Sequence, residues 1–128
     1  MSKAATFVTP DLEAVWRAAE RIAAYAQRTP VLRSSSLDAE TGAQLVFKCE
    51  NFQRIGAFKF RGACNAVFAL TDTDAQRGVA THSSGNHAAA LALAAKLRGI
   101  PAHVVMPENT DSVKIDSVRR LGASIVFC

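Results

Sequence analysis

The chain has 128 residues, enough to bury one modest hydrophobic core. It is 49% hydrophobic and 20% charged, a balance that predicts a folded protein rather than a disordered one. Its net charge of +4 comes from fifteen scattered Lys and Arg residues, which argues against a nucleic-acid-binding surface. No apolar run reaches the length of a membrane span. We therefore expect neither nucleic acid nor a membrane as a partner.

Cysteine usage indicates the redox environment. The chain has three cysteines, Cys49, Cys64 and Cys128. An odd number without a Cys-x-x-Cys pair argues against a disulfide framework or a zinc site. The histidines lack the spacing of a helical metal motif, so we expect no metal ligand in this chain. Sparse cysteines are typical of a reducing cytosol, and residues Met1–Thr6 lack the apolar core of a secretory signal. We therefore predict a cytoplasmic protein.

The N-terminal region predicts a helix. Thr9 can cap it, Pro10 suits the first turn, and Asp11 favours the positive end of the helix dipole. Apolar residues then recur at helical spacing and predict a stripe that faces the core: Leu12, Val15, Trp16, Ala19, Ile22 and Ala23. We expect this helix to end within residues 25–28. The serines at positions 34–36 predict the cap of a second, short helix.

The middle of the chain predicts a strand and a helix around a glycine turn. The strand covers residues 45–50, and a turn at Gly56 separates it from a helix that opens near Phe58. The acidic, polar stretch of residues 71–74 then breaks the pattern. We predict a domain boundary there, with one unit at residues 1–70 and a second unit at residues 71–128.

From Gly78 onward the pattern is βαβαβ. Strands are predicted at residues 79–82, 103–106 and 124–127, with helices at residues 86–98 and 112–121 between them. A glycine follows each helix, where a left-handed cap residue belongs: Gly99 and Gly122. Short alternating elements with apolar strands indicate an α/β fold with a parallel sheet covered by helices.

One lysine lies between two aromatic residues. Lys59 has Phe58 before it and Phe60 after it. If both rings exclude water, desolvation disfavours the charged amine, and a neutral amine is a nucleophile that can attack a carbonyl. The alternative is a lysine that extends past its rings to solvent, and the triplet alone favours this alternative.

A second polar stretch lies between the first strand of the βαβαβ pattern and the next helix. Residues 83–86 read Ser-Ser-Gly-Asn, at the sheet edge where open α/β folds bind ligands. Unpaired N–H groups of a helix start attract an anion, and Gly85 permits close approach. An ordinary helix cap is the alternative. The absence of GxGxxG, GxxxxGK[ST] and GxSxG argues against a dinucleotide site, a P-loop and a hydrolase elbow.

Together the two stretches resemble the fold-type II pyridoxal-phosphate enzymes of the serine/threonine dehydratase and serine racemase family. Residues 56–63 match its lysine motif, Gly-[Ser/Ala]-Phe-Lys-x-Arg-Gly-Ala, and residues 83–87 match its Ser-Ser-Gly-Asn-His motif. The resemblance runs from Thr29 to Cys128. It implies that residues 71–128 form a small three-layer α/β domain. Residues 1–70 would then be N-terminal elements of a larger, tryptophan synthase β-like domain.

The resemblance also implies roles for individual residues. Lys59 would attach pyridoxal 5'-phosphate covalently and move the α-proton, and Phe58 would pack against the cofactor ring. Asn86 would donate a hydrogen bond to the ring 3-oxygen. Ser84 would be the second acid/base of racemising members. The substrate carboxylate would be held by backbone N–H groups of Ser83, Ser84, Gly85, Asn86 and His87.

The implied substrate is a hydroxy amino acid: serine, threonine or 3-hydroxyaspartate. Elimination would give a 2-oxo acid and ammonia, and reprotonation from the side of Ser84 would give the D-isomer. Ala57 stands where many dehydratases have Ser, as in the subgroup of serine racemases and 3-hydroxyaspartate dehydratases. The complete enzyme would be a homodimer, with a divalent cation and ATP as effectors.

The chain is shorter than the family it resembles. Family members are more than twice as long, and their phosphate loop, pyridine-nitrogen partner and metal carboxylates come after the position of Cys128. We therefore expect the 128 residues alone to be a nearly inactive fragment. A non-enzymatic alternative is a short product that pairs with a full-length subunit through an exposed sheet edge. A third is β-replacement of the cysteine-synthase type on the same scaffold.

Overall fold

The structure, a computed structural model, describes residues 9–128, so the stretch Met1–Thr6 lies outside the described residues. Two one-turn 3-10 helices, Glu50–Phe52 and Arg54–Gly56, precede the third α-helix. The remaining elements are, in chain order, α1 (Leu12–Ile22), β1 (Val31–Leu32), α2 (Ser35–Thr41), β2 (Phe47–Lys48), α3 (Lys59–Ala69), α4 (Asp72–Ala75), β3 (Val79–His82), α5 (Asn86–Arg98), β4 (Ala102–Met106), α6 (Ser112–Arg120) and β5 (Ser124–Phe127).

Helix α1 differs from its prediction at both ends. Asp11, not Thr9, is the cap, and its Oδ1 accepts a hydrogen bond from the N–H of Ala14 at 2.7 Å. The helix ends at Ile22, because the following residues turn back onto the Ile22 carbonyl. The predicted core stripe was wrong for most of its members. Only Ile22 is buried, and Trp16 is 62% exposed, because only the C-terminal part of α1 packs against the core around α3.

The predicted strand at residues 45–50 is shorter in the structure. Only β2 forms a ladder, antiparallel to β1, with Val31 opposite Lys48. Glu50 already belongs to a 3-10 turn. Ser34 caps α2 as predicted, accepting from the N–H of Leu37 at 3.4 Å. The helical pattern breaks before residues 71–74 as predicted, since α3 ends at Ala69, and Thr71 then caps the short helix α4 by accepting from the N–H of Asp74 at 3.1 Å.

The parallel sheet is confirmed. Its strand order is β3-β4-β5, and both neighbouring pairs are parallel. Strands β3 and β5 and helix α5 have their predicted bounds, β4 begins one residue earlier, and α6 ends one residue earlier. Gly99 and Gly122 have φ angles of 72° and 87°, as left-handed residues after a helix should.

Helices α5 and α6 cover one face of this sheet. Small residues of α5 pack against the sheet and α6 in one buried cluster that includes Ala92, Val104, Met106 and Val118. The opposite face, with His82 and His103, is exposed, so the described residues do not form the expected third layer. None of the helices within residues 9–128 has the length and apolar composition that crossing a bilayer requires.

A second core joins the two halves of the chain. Phe60, Cys64 and Val67 of α3 share one buried cluster with Ala90 and Ala94 of α5. The contact crosses the predicted boundary between residues 70 and 71, and the division into two units stays a prediction. This packing places α3 and α5 side by side.

Candidate active site

Two helices begin at one end of the structure. Helix α3 begins at Lys59, and helix α5 begins at Asn86. At the other end of α5, the Arg98 guanidinium donates to the carbonyl oxygens of Val67 and, at 2.9 Å, of Leu70, which close α3. Because the C-terminal ends meet and the helices pack side by side, both N-terminal ends point the same way. The lysine and the Ser-Ser-Gly-Asn-His loop therefore share one end of the helix pair.

The Ser-Ser-Gly-Asn-His loop presents hydrogen-bond donors. The N–H of Ser83 donates to the Val105 carbonyl at 3.0 Å, and the N–H of Gly85 donates to the Ser83 hydroxyl at 3.3 Å. Within residues 9–128, the N–H groups of Ser84, Asn86 and His87 donate to no protein acceptor. The side chains of these three residues also make no hydrogen bond within that range. Free donors at a helix start are the groups that bind an anion.

Space remains open in front of this loop. A Cβ added to Gly85 would meet no atom of the described chain within 4 Å. Its φ of −134° is extended backbone that other residues can adopt, so the protein itself does not require glycine there. No side chain caps α5 either. The ordinary-cap interpretation of the loop was therefore wrong. The unpaired N–H groups of Ser84, Asn86 and His87 are suited to binding a ligand.

Lys59 lies beside one aromatic ring, not two. Its Nζ is 5.0 Å from the centroid of the Phe58 ring, and Phe58 is 59% exposed. Phe60 is completely buried in the core shared with α5. Positions two apart on a helix point in nearly opposite directions, so the two rings do not enclose the amine, and the solvent-exposed alternative that the triplet favoured is the one observed. The amine is exposed, and within the described residues no second ring desolvates it.

An ion pair holds the first turn of α3. Arg61 binds Glu50 through two hydrogen bonds, from Nε at 2.8 Å and from Nη2 at 2.7 Å. The Thr29 hydroxyl adds a third at 2.5 Å, and Lys48 holds the Thr29 carbonyl at 2.6 Å. Above all, the bonds from Arg61 lower the pKa of Glu50 to about 2, outweighing the opposing effect of burial. The same pair raises the pKa of Arg61.

A buried amide holds the loop that precedes α3. Gln53 is 3% exposed, and its Oε1 accepts from the N–H groups of Gln27 at 2.9 Å and Arg54 at 3.0 Å. Its Nε2 donates to the Gln27 carbonyl at 2.8 Å. No pattern in the sequence predicts a role for Gln53, Glu50 or Arg61. Arg61 lies within the lysine motif, whereas Glu50 and Gln53 precede it, and neither spacing nor polarity predicts these partners.

The backbone before Lys59 is strained. Ile55 and Gly56 have φ angles of 60° and 70°, both in the left-handed region. Glycine suits that region, whereas a β-branched residue there is a genuine outlier. Strain of this kind persists only where the surroundings fix the backbone, and it concentrates at functional sites. Here the fixing groups are the Gln53 amide and the packing of Ile55 against the α3–α5 core.

A cavity of about 520 Å³ lies away from the start of α5, beside α1. Trp16 and three cationic residues line it: Arg28, Lys48 and Arg61. Two of these cations already hold protein acceptors, Thr29 for Lys48 and Glu50 for Arg61. The cavity therefore offers little unpaired charge, and we assign no ligand to it. No cluster of three or more metal-ligating side chains occurs within the part of the chain that the structure describes.

Comparison with known proteins decides the family. Residues 22–128 match the model of a family described as pyridoxal-phosphate dependent enzymes. The chain belongs to this family. The family and the pyridoxal-phosphate dependence of its members are therefore as predicted from the two motifs.

Two related proteins and one solved structure are informative. A serine racemase of Oryza sativa subsp. indica is 58% identical over 117 residues, 91% of this chain and 34% of that protein. A beta-hydroxyaspartate dehydratase of Paracoccus denitrificans (strain Pd 1222) is 57% identical over 119 residues, 93% of this chain and 38% of that protein. The solved structure of maize serine racemase is 56% identical with a TM-score of 0.88, covering 91% of this chain and 36% of that one. The chain thus spans about a third of these relatives.

The described residues fit the reactive part of pyridoxal phosphate. An exposed amine, an exposed aromatic ring and an amide side chain stand at the same end of the helix pair, at Lys59, Phe58 and Asn86. The open space before Gly85 has room for a ligand. Within residues 9–128 we find no glycine-rich loop that would hold the phosphate group. The individual roles of Lys59, Phe58, Asn86 and residues 83–87 remain predictions.

Proposed function

We propose that this chain is the N-terminal part of a pyridoxal-phosphate-dependent ammonia-lyase or racemase for hydroxy amino acids. The observation that carries the proposal is the shared end of the α3–α5 pair. It brings Lys59 to the same side as the donor loop at residues 83–87. An amine for the cofactor aldehyde and donors for a carboxylate are what such an enzyme must supply together.

Each group at this end has a specific task in the proposal. Lys59 would hold the cofactor covalently through Nζ, and the amine that is freed when the amino group of the substrate takes its place would accept the α-proton of the substrate. The substrate carboxylate accepts from the free N–H groups of Ser84, Asn86 and His87. The Asn86 amide and the Phe58 ring orient the cofactor. Bound pyridoxal phosphate supplies an electron sink that makes the α-proton acidic.

In this proposal the Ser84 hydroxyl is the proton donor for racemisation, which competes with elimination. Its hydroxyl makes no hydrogen bond within the described residues, so it is free to give or take a proton. Proton return from Ser84 gives the D-isomer, and loss of the β-hydroxyl gives a 2-oxo acid and ammonia. Two relatives bear names for these outcomes, a serine racemase and a beta-hydroxyaspartate dehydratase. We propose serine, threonine and 3-hydroxyaspartate as the substrates to test.

Covalent trapping tests the proposal. The full-length protein that contains these residues is mixed with pyridoxal phosphate, reduced with borohydride and mapped by peptide mass spectrometry. We expect the pyridoxyl label on Lys59 and its loss in Lys59→Ala. Lys48→Ala is the matched control, since Lys48 is also exposed but already holds the Thr29 carbonyl. A label that stays in Lys59→Ala, or that maps to another lysine in the native protein, would contradict the proposal.

A product assay addresses the reaction type. Serine, threonine and 3-hydroxyaspartate are supplied with and without sulfide, and 2-oxo acid, ammonia and D-serine are measured. Ammonia that forms without sulfide supports the lyase, whereas a thiol product that needs sulfide would favour β-replacement. Because the described residues hold no phosphate cradle, we expect residues 1–128 alone to turn over little substrate. Normal turnover by this piece would overturn that expectation.

Further properties of the whole protein are proposals as well. Three free thiols, at Cys49, Cys64 and Cys128, support a reducing, cytoplasmic location. We propose two units, at residues 1–70 and 71–128, within one subunit of a homodimer. The divalent cation and the ATP effector implied by the family resemblance stay predictions, because no residues that would bind them were identified within positions 9–128.

One observation favours the non-enzymatic alternative. Strand β5 lies at the edge of the parallel sheet, and its Val126 and Phe127 are exposed. Exposed edges invite pairing with another chain. Copurification of residues 1–128 with a full-length relative, in the absence of any Lys59 labelling, would favour this alternative over the enzyme.

A further inference from the structure

Helix α3 begins without the features that usually stabilise a helix start. Phe58 provides no side-chain cap, and the first turn contains no acidic residue. The turn instead carries two basic residues, Lys59 and Arg61. Basic groups at this end oppose the helix dipole, and the N–H groups of Phe60 and Arg61 have only backbone acceptors, the carbonyls of Ala57 at 3.4 Å and of Phe58 at 3.0 Å. The sequence of the first turn therefore does not explain why α3 starts at Lys59.

Glu50 supplies the missing acid from outside the helix. Its two carboxylate oxygens face Nε and Nη2 of Arg61 in a forked, two-bond arrangement. Such pairs are geometrically specific, because the planar guanidinium matches the carboxylate only in one orientation. Arg61 lies two residues after Lys59, so the fork fixes the same helical turn that carries the amine.

The Glu50 carboxylate is itself anchored to the segment after α1. The Thr29 hydroxyl donates to Oε1 at 2.5 Å, and Arg61 also reaches the Gln27 carbonyl at 3.1 Å. Gln53 holds the backbone of Gln27 on the same side. Within residues 9–128, Thr29 and Gln53 are the two polar residues that are buried. The first turn of α3 is thus tied to a fixed point outside the helix.

We propose that Glu50 and Arg61 are positioning residues that set the start of α3 and thereby hold Lys59 where it can meet an aldehyde. Neither side chain would touch the substrate or the cofactor. The functional part of this inference rests on the proposed function, because Lys59 has a task only in that reaction. The structural part, a locally fixed first turn, can be measured without any cofactor.

Amide hydrogen exchange measures the structural part in the cofactor-free, full-length protein. Glu50→Gln keeps the size of the side chain but removes its charge, and Glu20→Gln is the control, an exposed acid without an ion pair among the described residues. We expect amides of residues 60–63 to exchange roughly 10-fold faster in Glu50→Gln, while amides of residues 90–95 keep their native rate. No change in Glu50→Gln, or equal acceleration in α3 and α5, would overturn the inference.

Trapping kinetics measure the functional part. We expect borohydride trapping of Lys59 to slow roughly 10-fold in Glu50→Gln and to stay native in Glu20→Gln. Arg61→Lys keeps the charge but loses the fork, so we expect it to show the same faster exchange at residues 60–63 and the same slower trapping. It decides the inference if Glu50→Gln does not fold. Native exchange and trapping in Arg61→Lys would overturn the inference. If native Lys59 is not trapped, the proposed function fails, and the exchange result still decides whether the pair fixes the turn.

Discussion

The parallel sheet and the lysine loop are held by different kinds of bond. In β3, β4 and β5 the backbone pairs strand with strand in a regular register, and a cluster of small and branched side chains fills the space beneath α5 and α6. In residues 49–58 the backbone forms short local turns, such as the bond from the Gly56 N–H to the Gln53 carbonyl at 2.8 Å, and side chains of Glu50, Gln53 and Arg61 tie these turns to the rest of the chain. Regular backbone pairing thus holds the sheet, whereas side-chain hydrogen bonds hold the loop that leads to Lys59.

The largest effect should come from the core of the sheet. Met106 is completely buried in the central strand. We expect Met106→Ala to lower the free energy of unfolding by about 2–5 kcal/mol, through lost transfer energy and a remaining cavity. Urea denaturation measures it, with Val113→Ala as the control at a 69% exposed position. A loss below about 1 kcal/mol would show that the sheet does not depend on this core.

This contrast explains what the sequence could predict. Periodicity placed β3, α5 and β5 at their observed bounds, because in these elements the period of apolar residues and the backbone geometry coincide. The same rule failed for Trp16, since an apolar stripe shows which face is available for packing and not whether a partner covers it. Periodicity also did not predict that the Phe58 side chain is exposed while the Phe60 side chain is buried.

The site was predictable in part, and for a different reason. The two motifs identified the family and the loop at residues 83–87, but no local pattern showed that Arg61 pairs with Glu50 or that Gln53 binds Gln27. Those partners lie 11 and 26 residues apart in sequence. Only the fold brings them together, so their role could not be read from spacing.

The second prediction uses pH to weaken the loop without changing the sequence. The pKa of Glu50 falls from its ordinary value of 4.5 to about 2 in the folded protein. Folding therefore favours the charged form, and this contribution is present above pH 4.5 and is lost as the pH falls toward 2. A shift of this size corresponds to about 3 kcal/mol at most. Urea denaturation at stepwise lower pH should show this loss.

The Glu50→Gln variant is the control for that titration. It lacks the ionisable group, so the difference in stability between the native protein and the variant should shrink between pH 4.5 and pH 2. A difference that stays constant across this range would mean that another carboxylate causes the acid sensitivity. The sheet contains no comparable buried acid among the described residues, so the titration separates the two regions.

The third prediction removes the buried amide. Gln53→Ala leaves the N–H groups of Gln27 and Arg54 and the carbonyl of Gln27 without their partner. We expect a loss of about 2 kcal/mol, since unpaired buried groups keep their desolvation cost. Gln44→Ala, at an exposed position with no hydrogen bond among the described residues, should change stability by less than about 0.5 kcal/mol. If urea denaturation shows equal effects of the two changes, the hydrogen bonds of the Gln53 amide do not stabilise the loop.

The smallest effect should come from the strained backbone before Lys59. Ile55 and Ile100 are both partly buried against the α3–α5 core, but only Ile55 has a positive φ. Replacement by glycine removes similar packing at both sites, whereas it relieves strain only at position 55. We expect Ile55→Gly to cost about 1 kcal/mol less than Ile100→Gly in urea denaturation, because a left-handed residue with a Cβ costs about 1–2 kcal/mol. Equal costs would show that the Ile55 backbone is relaxed, and the lysine loop would then be held by its side-chain bonds without opposing strain.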